Sequence, residues 1–166
     1  MPATQTTGGL RPVDLIPVAL ARELAAAGLV WTPAQGDRFI IDRPGLAGQS
    51  WVLSDMVVEL HDHPAGQILG FNGTTEWALD SVDAHQALWL PAENQLRALL
   101  GPAFGRLERL GSGEADGSAS EKFRVQLVID GAEVGFEATD PTTAYGLALW
   151  HVLRVSAPAD ASATVP

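Results

Sequence analysis

The chain has 166 residues, of which 20 are Asp or Glu and 10 are Lys or Arg, giving a formal net charge of −10. Nucleic-acid affinity comes largely from cations that displace condensed counterions, so this balance argues against direct binding to nucleic acid or to an anionic membrane. A hydrophobic content of 46% supports a real core, and the absence of cysteine removes disulfides, thiolate metal sites and cysteine nucleophiles.

Residues 1–12 and 156–166, rich in Pro, Thr, Gly, Ala and Ser, read as tails around one domain spanning 13–155. Met1 to Leu10 carry no basic stretch followed by an apolar run, which predicts no secretory leader. Leu15 to Val30 is interrupted by Arg22 and Glu23 and is too short to span a bilayer, so a cytoplasmic protein is expected.

From Asp14 the stripe Leu15, Val18, Leu20, Leu24 and Ala27 predicts a helix that tolerates Pro17 in its first turn and stops at Gly28. Trp31 to Asp37 reads as a turn leading into a strand at Phe39-Ile40-Ile41. Beyond the loop 42–49, Trp51-Val52-Leu53 and Val57 to Leu60 are strand-like, and His63-Pro64-Ala65-Gly66 turns the chain back along Gln67 to Phe71.

Thr74 or Thr75 caps a short expected helix over Glu76 to Leu79. Leu90-Pro91 opens a firmer helix with Leu96, Leu99 and Leu100 on its buried side and Gly101 at its end. Gln95 and Arg97 face away from those leucines, and Arg97 is placed to pair with Glu93 one turn earlier. A flexible loop is expected over 111–121. Phe123, Val125, Leu127 and Ile129 alternate into a strand, Asp130-Gly131 turns it, and Val134 to Ala138 returns as its partner. Asp140-Pro141 starts a last amphipathic helix carrying Tyr145, Leu149, Val152 and Leu153. Two to three helices beside mostly antiparallel strands give the α+β class, in a single compact domain.

The most informative pattern is a charge block. Between Arg43 and Arg97 there is no lysine or arginine, while Asp55, Glu59, Asp62, Glu76, Asp80, Asp83 and Glu93 fall in that window. The window also holds three of the four histidines and three of the five tryptophans. A block of one sign this long predicts a negative, aromatic-rich face. Phe71-Asn72-Gly73-Thr74-Thr75-Glu76-Trp77 is its densest polar stretch, and a carboxylate pressed against an indole is suited to acid–base work.

Three readings compete for that face. In the leading one the protein is a non-enzymatic binding or accessory protein that engages a basic partner protein and needs no cofactor. Asp55, Glu59, Asp62, Asn72, Thr75, Glu76, Asp80 and Asp83 form its surface, with Trp77 or Trp89 as the apolar anchor. In the second, a metal-dependent hydrolase uses Glu76 with Glu59, His61 and His63 as ligands, since alternate strand positions share a face. In the third, Trp51, Phe71 and Trp77 line a small-ligand pocket between sheet and helices. There is no phosphate-binding loop, and no serine has a nucleophile-elbow setting.

Five runs carry a resemblance: Trp31 to Asp37, Trp51 to Met56, Phe71 to Ser81, Leu90 to Arg97, and Ala144 to Ala148. Across residues 14–154 the chain resembles a family of small bacterial proteins without a defined activity, some of them identified as pilus assembly proteins. The resemblance implies a compact single domain associated with a pilus or secretion system. It assigns no catalytic residue.

Overall fold

The computed structural model describes residues 15–41, 49–54, 58–64, 66–71, 81–111 and 121–156. The element order is α1 (Val18–Ala26), β1 (Arg38–Ile41), β2 (Ser50–Val52), β3 (Val58–His63), β4 (Gly66–Phe71), β5 (Ser81–Asp83), β6 (Ala87–Trp89), α2 (Glu93–Leu100), β7 (Phe104–Leu110), β8 (Lys122–Ile129), β9 (Ala132–Ala138) and α3 (Pro141–Ser156). Single 3-10 turns, Ala84–Gln86 and Gly101–Ala103, precede β6 and β7. The strands form three antiparallel sheets ordered β2-β1-β6, β3-β4-β5 and β7-β8-β9. The fold is therefore α+β.

Local chemistry explains most boundaries. α1 begins after Pro17, and beyond its end Gly28 adopts φ +98°. The Gly28 and Leu29 amides donate back to the Ala25 and Leu24 carbonyls, which is the glycine-dependent closure that satisfies orphan carbonyls at a helix end. Asp130 (φ 51°) and Gly131 (φ 80°) both take left-handed backbone, as a two-residue hairpin turn requires, and β8 pairs with β9 from Ile129↔Ala132 to Phe123↔Ala138. β3 and β4 pair from Val58↔Phe71 to His63↔Gly66, so the turn expected at His63–Gly66 closes this hairpin.

Five elements were not expected from the pattern: β5, the turn before β6, β6, the turn before β7, and β7. In β7 the reason is a bulge between Phe104 and Arg106. It lets Phe104 and Leu107, three positions apart, pack against one core and so hides the two-residue period. Gly105 permits the bulge, since a Cβ there would lie 3.0 Å from the Gln126 carbonyl oxygen.

Apolar packing divides between two clusters. The larger joins Ile16, Leu20, Leu24, Leu96, Leu100, Val125, Leu127, Tyr145 and Leu149, with α3 packed on β7-β8-β9 and with α1 and α2 packed against α3. The smaller joins Phe39, Ile41, Leu53, Leu69 and Val82, packing β2-β1-β6 against β3-β4-β5. α1 and α3 approach closely at Gly146, where a Cβ would lie 2.7 Å from Leu20 Cδ2.

The short helix expected over 76–79, most of the loop 111–121 and the tails fall outside the described residues, apart from Ser156 at the end of α3. Among the described residues no helix is long and apolar enough to cross a membrane.

Candidate functional site

The feature that gathers the chemistry-bearing side chains is a cleft of about 560 Å³ between the two apolar clusters. One wall is the small-residue side of α1, Ala21 and Ala25, continued by Leu29. The other is Asp83 to Trp89, which leaves β5, makes the 3-10 turn and enters β6. Trp31 and Pro33 close one end, and Gly66 with Gln67 from the β3–β4 hairpin close the other.

Trp31 is held rigidly. Its Nε1 donates to Asp37 Oδ2 at 2.8 Å, and its ring lies 5.6 Å from that of Phe39. Asp37 is only 2% exposed, so its oxygens must find donors within the protein. Oδ2 also accepts from the Ala34 amide at 2.8 Å, and Oδ1 accepts from Gln95 Nε2 at 2.5 Å. Gln95 Oε1 in turn accepts from the Ala92 amide at 2.9 Å, capping the start of α2. Two runs of the sequence, Trp31–Asp37 and Leu90–Arg97, are thereby bolted together, and the cleft gains one fixed indole.

Trp89 supplies the second indole. β6 pairs with β1 at Phe39↔Trp89, which fixes its backbone. Its indole nitrogen is sealed from solvent and has no hydrogen-bond partner among the described residues. Asp83 and His85 are both exposed on the cleft rim. Gln67 Nε2 donates to Asp62 Oδ1 at 3.2 Å, which ties a second carboxylate to the same end. Among the described residues that line the cleft there is no lysine or arginine.

Of the residues expected to form the negative face, Asp62, Asp83 and Trp89 come together around this cleft. Asp55, Asn72, Thr75, Glu76, Trp77 and Asp80 lie outside the described residues, as do the side chains of Glu59, His63 and Phe71. β3 is a regular strand through positions 59, 61 and 63, with His61 exposed and paired in register with Ile68. Among the described residues no three His, Asp or Glu side chains are grouped so as to hold a metal ion. Trp51 packs against the Phe39 cluster and does not line the cleft.

Arg97 does not pair with Glu93 as expected; its guanidinium lies over the Phe104 ring, 5.0 Å from the centroid. Trp31, Gln67 and His85 were not foreseen as site residues. Trp31 lies in the segment between α1 and β1, where the sequence marks a bend but not the direction of the side chain, and Gln67 is a polar residue near the start of β4 with no charge to single it out.

Comparison with protein-family models, with curated proteins and with solved structures finds no match to this chain.

Proposed function

We propose that the protein is a binding or accessory protein that takes a basic segment of a partner protein into the cleft between α1 and Asp83–Trp89. The observation that carries this reading is the composition of the cleft: two indoles from Trp31 and Trp89, a carboxylate at Asp83, and no lysine or arginine among the described lining residues. Indoles supply buried area and attract ammonium or guanidinium groups to their faces, and carboxylates at the rim orient the approaching cation. The Asp37 bond that holds Trp31 means little side-chain entropy is lost there on binding. In this proposal the partner belongs to a pilus or secretion assembly, as the sequence resemblance implies.

The test is co-purification at low salt with the native chain and with an Asp62→Asn/Asp83→Asn variant. The reading expects a partner whose captured region is lysine- or arginine-rich, lost from the variant and released as ionic strength rises. Capture unchanged in the variant and insensitive to salt contradicts it.

A further inference from the structure

A second cavity, of about 750 Å³, lies between the first turns of α2, the start of β7 and the first turn of α3. It shares no lining residue with the cleft described above. Its floor holds two hydroxyls that the fold leaves unused. Tyr145 is 2% exposed and Thr142 3% exposed, and both line the cavity. Neither hydroxyl has a hydrogen-bond partner among the described residues, and neither oxygen is sealed off. Both hydroxyls therefore open onto the cavity with donor capacity that the described residues do not use, and two on one face mark a place where an acceptor fits.

The remaining groups define that acceptor. Thr142 and Tyr145 are three positions apart on one face of α3, whose first turn is already capped by Asp140 Oδ1 on the Thr143 amide. Arg97 also lines the cavity, and the Phe104 ring beneath it keeps its planar fork of N–H donors oriented. No carboxylate among the described residues pairs with Arg97. Asn94 adds a neutral amide and Glu93 one negative charge, while Arg106, which also lines the cavity, is engaged by Glu108 and Glu133. Burial first, and Glu93 second, push the Tyr145 hydroxyl above its ordinary value of 10, against an opposing effect of Arg97. The hydroxyl therefore remains a donor at neutral pH.

We propose that this cavity binds a small organic carboxylate, gripped by the Arg97 fork and by the Thr142 and Tyr145 hydroxyls, with a second polar group of the ligand facing Glu93. A singly charged carboxylate is favoured over phosphate for two reasons. The one guanidinium fork in the lining not engaged by a described carboxylate, that of Arg97, matches its planar geometry, and the fixed charge of Glu93 repels a dianion.

Amide NMR spectra of the full chain, titrated with lactate, with glutamate and with inorganic phosphate, test the proposal. Saturable shifts confined to 92–97, 104–107 and 142–145 are expected with a carboxylate. Binding should weaken tenfold or more in Arg97→Gln and in Tyr145→Phe, a variant that keeps the ring packed against Phe104. Shifts with phosphate as large as those with both carboxylates would overturn the assignment of ligand class. No shift with either carboxylate, or shifts unchanged in both well-folded variants, would overturn the site. None of these outcomes bears on the cleft at Trp31 and Trp89.

Discussion

The Asp37 carboxylate and the Gln95 amide, 58 positions apart in the chain, meet at 2.5 Å and join the loop before β1 to the first turn of α2. Asp37 is buried and, among the described residues, bonded only through neutral N–H donors, from Trp31, Ala34 and Gln95. Removing the carboxylate strands all three. Asp37→Ala is therefore expected to cost about 3 kcal/mol and Gln95→Ala about 1–2 kcal/mol, from the desolvation of unpaired donors and the lost helix cap. Urea unfolding of the two single variants and the double variant should give a coupling energy of about 1 kcal/mol or more. Strict additivity would show that the two groups act independently.

Packing at the α1–α3 contact makes a separate prediction. Gly146 faces Leu20 and Ile16, and a Cβ would come within 2.7 and 3.0 Å of their terminal methyls. Gly146→Val is expected to lose about 2 kcal/mol by overpacking, read as a lower Tm. A variant as stable as the native chain would mean that α1 moves aside at little cost.

Trp89 offers a test of the opposite sign. Its sealed indole N–H has no partner among the described residues, so Trp89→Phe removes an unsatisfied donor while keeping an aromatic ring in the cleft. Stability within about 1 kcal/mol of the native chain is expected from this near-conservative swap, whereas Trp89→Ala should cost about 3 kcal/mol or more. A large loss in Trp89→Phe would show that the indole nitrogen does have a partner.

The outer face of β7-β8-β9 carries a ladder of charges. Arg106 bonds Glu108 and Glu133, while Arg124 pairs with Glu137 and Glu108. Hydrogen bonds from Arg106 to Glu108 and from Arg124 to Glu137 hold both carboxyls below the ordinary 4.5. Because the folded values are depressed, their contribution is present above pH 4.5 and is lost as the pH falls from there through the folded values. A Glu108→Gln/Glu137→Gln variant should have a Tm slightly below native at neutral pH, because exposed pairs contribute little, and that small gap should close as the pH falls below 4.5. An acid limb as steep as that of the native chain contradicts this.

What was legible in the sequence followed from local signals. The Gly28 stop of α1, the Asp130-Gly131 hairpin and the Pro141 start of α3 all rest on backbone conformations that those residues favour, whereas α1 starts at Val18 after Pro17 and not at Asp14 as the apolar stripe suggested. β7 was hidden because its bulge breaks the alternation, and β5 and β6 are only three residues long and depend on their neighbours for pairing. The site was legible as a charge block and not as a geometry. Asp62, Asp83 and Trp89 come from that block. Trp31 reaches the cleft only through a long-range bond network that begins at Asp37, an acid that lies before the block and carries no charge pattern of its own.

The central claim is that the cleft at Trp31, Asp83 and Trp89 accepts a basic segment. The most direct measurement is an array of lysine- and arginine-containing peptides, with neutral and acidic peptides beside them, probed with the native chain, Asp83→Asn and Glu137→Gln. The account predicts that basic peptides alone are retained, that raised salt and Asp83→Asn weaken them, and that Glu137→Gln on the distant sheet changes nothing. Failure to retain any basic peptide, or equal retention by the native chain and Asp83→Asn, would contradict it.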